Sequence, residues 1–593
     1  MTPDLYIASK ASEAIKAIYN TEIEPSALQV GVTRKEFEGD YTLVVFPLLR
    51  MSHTTPENTG KAIGDWLVAN VPEISGFNCV KGFLNILFSN LYWNELFSEI
   101  VSTPDFGYLP STGKNVMVEF SSPNTNKPLH LGHIRNNLLG DSVSRLLKAS
   151  GNNVIKTTIV NDRGIHICKS MLAWQKVGNG ATPESSGKKG DHLVGDMYVA
   201  FNDILKKEVE TLVAGGMDEE TAKKEAPCLK EAHEMLRKWE AGDPEVRDLW
   251  QRMNKWVLDG FDETYAALGI TFDKVYFESQ TYLLGKELVQ KGLDMGVFVR
   301  EADGSVWCDL TADGLDRKLL LRSDGTSVYI TQDLGTAERR FAEYSLDSHV
   351  YVVGDEQNYH FQVLKLILKK LGFSWADAIY HLSYGMVELP EGKMKSREGT
   401  VVDADDMIEK MYQEAKATSE ESGKLADMDE DEKERLYRMI GLGALKYFII
   451  KVDPKKTMLF NPKESIDFNG NTGPFIQYTH ARIRSILRKA SERGWLGAAY
   501  QSVELSAKEV RLIKLLNLFP SKVAEGADAY SPAIIANYAF DLAKEFNQYY
   551  HETPILKEED PQMLQARLVL IDTLSAVLRR AMGILGIELP ERM

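Results

Sequence analysis

The chain has 593 residues, of which 44% are hydrophobic and 26% charged, and it carries a formal net charge of −16; these values are typical of a globular protein with several domains. The acidity excludes a protein that coats nucleic acid indiscriminately, although local basic patches remain compatible with a nucleic-acid partner. No apolar run reaches the roughly 18 residues of a membrane span, and the first residues lack the basic start of a signal peptide, so we expect a cytoplasmic protein without a membrane partner.

The four cysteines are scattered along the chain without a C-x-x-C spacing. This pattern argues against a zinc site and against a disulfide framework. It predicts small apolar side chains in the interior and no metal held by the protein itself.

Residues 1–112 are predicted to form a small α/β domain. Its predicted elements are an amphipathic helix over residues 5–19, a strand over 41–46, a helix over 55–69 and a strand over 83–88. The stretch 103–114 is rich in proline, glycine and serine and is predicted to be a linker.

The next segment joins a predicted strand over residues 116–120 to a helix through a polar loop, with His130, Gly132 and His133 at the helix start. In an open parallel sheet, the loop between the carboxyl end of a strand and the following helix lies in the crevice where nucleotides bind. Backbone N–H groups and the positive end of the helix dipole favour phosphate there. By itself, however, a pair of histidines at this spacing is more often part of a solvated polar loop.

Strands and helices continue to alternate after this loop. A strand is predicted over residues 154–160, followed by a polar turn at 161–164, and residues 165–319 are predicted to be a mainly helical insertion in the sheet domain. The alternation resumes with a strand or strand end at 327–331, helix 333–344, strand 349–353, helix 358–371 and strand 379–389. This order indicates parallel βαβ units, as in a Rossmann-type sheet.

The carboxyl-terminal part is predicted to be helical. A basic loop, 390–400, follows the last strand, and helical segments at 475–493, 507–525, 532–551 and 561–585 are typical of a bundle. We therefore predict an α/β multidomain protein. Its regions are a small N-terminal α/β domain (1–112), a Rossmann-type parallel-sheet domain (113–405) with an inserted domain at about 165–319, a helical connective region (406–472) and a C-terminal α-helical bundle (473–593).

Two loops that lie far apart in the sequence resemble the two signatures of class I aminoacyl-tRNA synthetases. His130-Leu131-Gly132-His133 is similar to the HIGH signature, and Lys393-Met394-Lys395-Ser396-Arg397 is similar to the KMSKS signature. The stretch Glu119-Phe120-Ser121-Ser122-Pro123-Asn124, with Lys127-Pro128, resembles the active-site opening of arginyl-tRNA synthetases in particular. Segments 329–335, 353–357, 473–482 and 590–593 agree with it, so that the resemblance extends over essentially the whole chain.

The resemblance implies ATP-dependent activation of L-arginine and its transfer to the 3′ end of tRNA(Arg), with activation that requires bound tRNA and without editing. The sheet domain would be catalytic, the N-terminal domain would contact the tRNA elbow, through Tyr41, and the bundle would bind the anticodon. ATP would enter with Mg²⁺ as its substrate complex, without a tightly bound protein-ligated metal, and we expect a monomer.

Site residues follow from the resemblance position by position. The residues that it assigns to catalysis are His130, His133, Lys127 and Lys393. Those assigned to ATP are His130, Gly132, His133, Lys393, Met394, Lys395 and Ser396. Those assigned to arginine are Glu119, Ser121, Asn124, Tyr329, Asp333 and Gln357. Those assigned to tRNA are Gln477, Tyr478, His480, Arg482 and Tyr550.

The second signature departs from the consensus, because Ser396 stands where KMSKS has its second lysine. Many arginyl enzymes lack that lysine and carry one just before HIGH, where this chain has Lys127. We therefore hypothesise that Lys127 supplies the missing positive charge at the phosphates. Lys395, in the third place of the signature, remains the alternative.

A guanidinium is a planar fork of donors, and carboxylates and neutral acceptors held rigidly around it discriminate strongly against lysine. This supports the arginine assignment and makes an editing domain unnecessary. Three alternatives stay open: a class I synthetase for another amino acid, a nucleotidylyltransferase with a HIGH signature that makes a small cofactor, and a catalytically inactive tRNA-binding relative.

Overall fold

The structure, a computed structural model, describes residues 2–34, 36–388, 402–421, 428–497 and 499–593. The predicted second signature, with Lys393, Met394, Lys395 and Ser396, lies outside the described residues, so the roles assigned to it stay predictions. Among the described residues, no helix combines the length and the apolarity that a membrane span demands.

The chain divides into two compact units. The first unit consists of Met1–Phe106, Ile483–Phe519 and Lys544–Val577. The second unit consists of Gly107–Arg482, Pro520–Ala543 and Leu578–Met593. The boundaries predicted for the four regions of the sequence stay predictions.

The N-terminal part of the first unit is an antiparallel sheet covered by helices. Its elements are α1 (Pro3–Tyr19), β1 (Val30–Val32), β2 (Tyr41–Val44), α2 (Leu49–Ser52), α3 (Pro56–Asn70), β3 (Ile74–Val80), β4 (Phe83–Phe88) and α4 (Asn90–Ser102). The strand order is β1-β2-β4-β3, and α1 and α3 pack on the sheet. The predicted strand 83–88 is confirmed. The sequence did not predict β3, since Gly76 and Asn78 interrupt its apolar alternation.

The second unit begins with an α/β region. Its elements are β5 (Asn115–Glu119), α5 (Leu131–Ala149), β6 (Asn153–Val160), α6 (Ile165–Val177), α7 (Pro183–Ser186), α8 (Gly190–Ala214), α9 (Glu219–Glu225), α10 (Pro227–Glu240), α11 (Pro244–Leu268), β7 (Lys274–Phe277), α12 (Glu278–Thr281), α13 (Lys286–Asp294), β8 (Phe298–Arg300), β9 (Val306–Cys308), β10 (Lys318–Leu321), α14 (Tyr329–Tyr344), β11 (Ser348–Gly354), α15 (Asn358–Lys370), β12 (Ile379–Tyr384) and β13 (Val387–Glu388).

A five-stranded parallel sheet forms the centre of this region and confirms the predicted fold class. Its order is β12-β11-β5-β6-β7, and every neighbouring pair is parallel. The central strand β5 is buried along Val116, Met117 and Val118 because the sheet is covered on both faces. Helix α5 crosses the sheet closely at Gly140, where an added Cβ would lie 2.1 Å from Cγ of Phe120.

Residues 165–319 were predicted to be an insertion, and this stays a prediction; they contain β7, which pairs with β6 at the edge of the parallel sheet. Residues 327–331 were predicted to be a strand or its end. The structure has no strand there: α14 already begins at Tyr329, and Ser327 makes a single bridge, with Leu321. Short polar stretches before a helix do not distinguish a strand end from an N-cap by periodicity.

The predicted strand 379–389 is also wrong as one element. Strand β12 ends at Tyr384, and β13 pairs instead with β14, which lies far along the chain. The break falls at Gly385, where an added Cβ would lie 2.6 Å from the backbone nitrogen of Thr457. This close approach of two backbones could not be read from the local pattern.

The remaining elements are helical apart from β14. They are α16 (Ala404–Glu421), α17 (Glu430–Ile450), β14 (Met458–Leu459), α18 (Pro462–Ser465), α19 (Gly473–Glu492), α20 (Ala507–Asn517), α21 (Phe519–Asp528), α22 (Ala533–Glu552) and α23 (Pro561–Ile584). The predicted helix 507–525 is interrupted after Asn517, since Pro520 has no N–H to continue the α20 hydrogen bonds. All four cysteines are free, and Cys168, Cys228 and Cys308 are buried as predicted.

Candidate active site

The loop that leaves β5 is fixed by a side chain that the sequence analysis missed. Ser121 and Ser122 both adopt positive φ, of 75° and 47°, a conformation that costs about 1–3 kcal/mol per residue unless the surroundings hold it. Asn136, on α5, accepts a hydrogen bond from the Ser121 N–H through Oδ1. Its Nδ2 donates to the carbonyl of Val352 (2.8 Å) and to Oη of Tyr384 (3.1 Å). One amide therefore ties the loop to the ends of β11 and β12.

The two signature histidines cap the N-terminus of α5. His130 is the N-cap, and its Nδ1 accepts a hydrogen bond from the Gly132 N–H at 3.1 Å. Nδ1 of His133 accepts from the His130 N–H at 3.1 Å, and the two ring centroids are 3.9 Å apart. Since Nδ1 of each ring is an acceptor, a neutral ring carries its hydrogen on Nε2, as inferred from the hydrogen-bond network.

Electrostatics keep both rings neutral. Burial, followed by the positive charge of Lys127, lowers the pKa of His130 to about 4, against a small opposing effect of Asp403. Burial and the neighbouring His130 and Lys127 likewise hold the pKa of His133 well below its ordinary value. The start of α5 thus presents two neutral Nε2–H donors at the positive end of a helix dipole, which is a suitable arrangement for phosphate oxygens.

Lys127 is the third side chain of this site, beside His130 and His133. Burial lowers the pKa of its ammonium, and the same charge lowers the pKa of both histidines, so the three side chains share one electrostatic neighbourhood. Within the described residues, no acceptor is hydrogen-bonded to its ammonium. A half-buried cation without a partner is costly, and an anionic ligand would relieve that cost.

A group of four carboxylates lies on the elements next to this loop: Glu119 at the end of β5, Asp162 after β6, Glu278 after β7 and Asp333 in α14. Burial raises the pKa of Glu278 to about 7; Arg163 opposes the rise, and the charges of Asp162 and Asp333 add to it. Among the described residues, none donates a hydrogen bond to the Glu278 carboxylate. This excess of partly buried negative charge favours a cationic ligand.

The sequence analysis missed Asp162 and Glu278 as site residues. Asp162 accepts hydrogen bonds from Ser279, from its N–H at 2.8 Å and its hydroxyl at 2.7 Å, which joins the ends of β6 and β7. The available signal was the position of Asp162 in the polar turn 161–164 at the carboxyl end of a strand. Glu278 had no such signal, since β7 was assigned to the insertion.

Glu119 has an internal partner that the sequence did not reveal. Its carboxylate forms an ion pair with Arg340 of α14, and both side chains are almost fully buried. The Arg340 guanidinium also lies over the ring of Tyr276, 4.5 Å from the centroid. Glu119 is therefore held rigidly by this buried ion pair.

The other residues assigned to arginine differ in exposure. The Ser121 hydroxyl is buried and hydrogen-bonded to Oη of Tyr265 at 2.7 Å, whereas Asn124 is exposed. Tyr329 is 76% exposed in the first turn of α14, and Gln357 is exposed beyond the end of β11. Asp333, one turn after Tyr329, pairs with Nε2 of His360 at 2.6 Å. Among the described residues, no hydrogen bond joins Tyr329 or Gln357 to Asp333.

Two of the residues assigned to tRNA are interior in the structure, and their predicted contact with tRNA stays a prediction. Gln477 and His480 have no exposed surface. Nε2 of Gln477 donates to the carbonyls of Met439 (3.0 Å) and Glu588 (2.9 Å), and Nδ1 of His480 lies 3.0 Å from the carbonyl of Pro590. These polar residues of α19 hold the backbone of the last residues of the chain, a role that aromatic and basic composition alone does not distinguish from RNA binding.

The other predicted tRNA contacts have exposed surface. In the second unit, the Arg482 guanidinium lies 4.9 Å from the ring centroid of Tyr478, one turn earlier on α19. In the first unit, Tyr550 on α22 is 36% exposed and stacks against Phe546. Also in the first unit, Tyr41 is half-buried and meets the ring of Phe88 edge-on.

Comparisons with known proteins agree with this architecture. A family model described as "tRNA synthetases class I (R), catalytic domain" matches residues 101–461, and one for the DALR anticodon binding domain matches residues 476–593. The arginine–tRNA ligase of Bacteroides thetaiotaomicron is 57% identical and covers 99% of each chain; that of Phocaeicola vulgatus is 58% identical and covers 98% of each. The solved arginyl-tRNA synthetase of Thermus thermophilus has a TM-score of 0.79 at 26% identity over the whole of both chains. On these matches, and on a nucleotide-type loop facing a carboxylate group at one sheet edge, the chain belongs to the arginyl-tRNA synthetase family.

Proposed function

We propose that this chain activates L-arginine with ATP and transfers the arginyl group to the 3′ end of tRNA(Arg). Family membership supports the reaction class. The observation that carries the proposal is that the two Nε2–H donors of His130 and His133 share one sheet edge with the carboxylates around Glu278. A phosphate-binding loop and a guanidinium-binding group are the two halves that arginine activation requires.

The first step forms arginyl-adenylate. The arginine carboxylate attacks the α-phosphorus of ATP, the bond to the bridging oxygen breaks, and pyrophosphate leaves with that electron pair. Negative charge grows on the phosphate oxygens, where the Nε2–H groups of His130 and His133 and the ammonium of Lys127 stabilise it. One such donor lowers the activation free energy by roughly 3–4 kcal/mol. Mg²⁺ enters bound to ATP and neutralises part of the phosphate charge.

In the second step, a hydroxyl at the 3′ end of tRNA attacks the arginyl carbonyl carbon, and AMP leaves with the electrons of the broken acyl–phosphate bond. The protein provides position and charge in both steps, so that no covalent enzyme nucleophile is required.

The carboxylate group gives the site its amino-acid selectivity. Glu278 and Asp333 bind the guanidinium, with Tyr329 and Gln357 as neutral neighbours, while Glu119, Ser121 and Asn124 hold the α-amino and carboxylate ends. A lysine ammonium is a point charge and cannot satisfy several acceptors arranged for a planar fork. A bound lysine would leave such acceptors unpaired, which disfavours lysine relative to arginine by a factor of roughly 10⁴ or more. This discrimination removes the need for editing.

Lys127 takes the place of the absent second signature lysine. Its ammonium, which lies beside both histidines and has no hydrogen-bond acceptor among the described residues, supports this assignment. The rates of adenylate formation and the ATP affinities of Lys127→Ala and Lys395→Ala separate the two candidates. A more severe loss in Lys395→Ala would refute the assignment.

Recognition of tRNA involves Tyr478, Arg482 and Tyr550, through stacking and charge. We further propose a cytoplasmic monomer in which bound tRNA is needed before activation becomes measurable. Arginine-dependent ATP–pyrophosphate exchange with and without tRNA, with lysine as the competing amino acid, tests the function. Absence of exchange both with and without tRNA would refute the function. Arginine-dependent exchange without tRNA would refute only the tRNA requirement.

A further inference from the structure

The segment 402–405 is bound directly to the loop that carries His130. The N–H of Leu131 donates to the carbonyl of Val402 at 3.0 Å, and the N–H of Ala404 donates to the carbonyl of Leu129 at 3.0 Å. His130 and Asp403 thereby form an isolated antiparallel bridge. In the sequence, this segment directly follows the predicted second signature loop.

The carboxylates of the same segment meet the start of α8. Nε2 of His192 lies 3.3 Å from Asp403 and 3.2 Å from Asp405. Nζ of Lys189 lies 2.6 Å from Asp405, whose other oxygen accepts a hydrogen bond from the hydroxyl of Thr264 on α11 at 2.8 Å. The segment therefore lies between the His130 loop and two helices of the region from α6 to α11.

Two cations, His192 and Lys189, offset most of the charge of the three carboxylates in this cluster, Asp191, Asp403 and Asp405. The adjacent carboxylates of Asp403 and Asp405 raise the pKa of His192 to about 10, which favours the protonated imidazole at neutral pH. Lys189 also pairs with the buried Asp191 at 3.3 Å. Although Asp191, His192 and Asp405 have the spacing of metal ligands, a protonated imidazole is no ligand, and His192 and Lys189 already pair with these carboxylates.

We propose that His192 and Lys189 are positioning residues for adenylate formation: by holding Asp403 and Asp405, they keep segment 402–405 against the His130 loop and fix the orientation of its imidazole toward the phosphates. The inference rests on the proposed function. Without these contacts, the two backbone hydrogen bonds at Leu131 and Ala404 lose their support on one side, and the N-cap of α5 gains freedom. Because hydrogen-bond donors stabilise a transition state only when they are placed precisely, greater freedom of this N-cap would weaken their effect.

The test combines kinetics with hydrogen exchange on the full-length protein. The variants are His192→Ala, His192→Gln and Lys189→Ala, with Lys188→Ala as the matched control, because Lys188 is the adjacent residue and pairs with Asp196 instead. ATP–pyrophosphate exchange, assayed with tRNA present, gives kcat and the KM for ATP and for arginine. Amide exchange of peptides that contain Leu131 or Ala404 reports the contact itself.

We expect His192→Ala and Lys189→Ala to lower kcat/KM for ATP by about tenfold, the typical effect of one lost charged hydrogen bond, while the KM for arginine changes less than twofold. His192→Gln, which keeps a donor, recovers part of the loss. Amide exchange at Leu131 and Ala404 accelerates in the two alanine variants, and Lys188→Ala matches the wild type in both measurements.

Unchanged ATP kinetics in folded His192→Ala, or a loss that falls on the KM for arginine, would overturn the inference. Should that variant not fold, Asp405→Asn, which removes one charge and keeps the shape, serves in its place with the same expected outcomes. If the wild type itself shows no arginine-dependent exchange either with or without tRNA, the proposed function fails. If the wild type is active but all variants match Lys188→Ala, only this inference fails.

Discussion

The most direct test of the proposed arginine pocket is to remove the charge of Glu278. Glu278→Gln keeps the shape of the side chain and removes its charge. Burial raises the pKa of this carboxyl to about 7, and the nearby Asp162 and Asp333 contribute to the rise against the effect of Arg163. A bound guanidinium stabilises the ionised form, so arginine binding must release a proton whenever the pH lies below that value.

The magnitude follows from the ionised fraction. With a pKa of about 7, about half of the free enzyme has an ionised Glu278 at pH 7 and about a tenth at pH 6, so the apparent arginine dissociation constant rises about fivefold over that interval. Above pH 8 it becomes constant. In Glu278→Gln the loss of a charged hydrogen bond, about 1.5–3 kcal/mol, weakens binding by about 10–150-fold and removes this pH dependence.

The folding stability of the arginine-free protein changes with pH in the opposite direction to the arginine affinity. Because the folded pKa of Glu278 is raised from 4.5 to about 7, the stability that it contributes is fully present below about pH 4.5 and is lost as the pH rises through about 7. Stabilisation by arginine should therefore grow over the same interval in which the contribution of Glu278 to the free protein declines. Glu278→Gln should show neither trend.

Isothermal titration calorimetry from pH 5.5 to 8, in buffers of different ionisation enthalpy, measures both the affinity and the released proton. His360→Gln is the control for the imidazole that is hydrogen-bonded to Asp333. A wild-type affinity that does not change between pH 6 and 7, or the same pH dependence in Glu278→Gln as in the wild type, would refute the reasoning.

Three further predictions concern the support of the site. Asn136→Ala should lower the thermal midpoint and reduce adenylate formation, because the buried Ser121 N–H loses its acceptor, at a cost of about 1–3 kcal/mol; pyrophosphate exchange and thermal unfolding measure both effects. Arg340→Met should destabilise by about 3–5 kcal/mol, since it leaves the Glu119 carboxylate buried without a counter-charge, and combination with Glu119→Gln should restore part of the thermal midpoint. Gly140→Ala should cost about 1–3 kcal/mol because α5 must move away from the sheet; an unchanged thermal midpoint would contradict the close packing.

Local pattern determined much of the fold. The strand at 83–88 and the alternation of strands and helices over 116–160 and 333–371 follow from hydrophobic periodicity and turn residues, which depend on a few neighbouring positions. Errors arose where the chain changes conformation within a polar stretch, as before α14, or where a distant backbone intervenes, as at Gly385.

The candidate site shows the same division. The motif around His130 and His133 is contiguous, so the sequence alone predicted a phosphate-binding loop and, by resemblance, identified the family. Asn136, Glu278 and His192 went unrecognised because each acquires its role through partners more than one hundred residues away or through the pairing of β7 with β6.

The sequence by itself determined the fold class, the family and the reaction class, because these depend on motifs of residues close together in the chain. Only the tertiary structure decided the protonation and tautomer of the two histidines, the excess charge around Glu278 and the interior positions of Gln477 and His480. Burial and long-range charge set these properties, and both arise when strands and helices from distant parts of the chain are packed together.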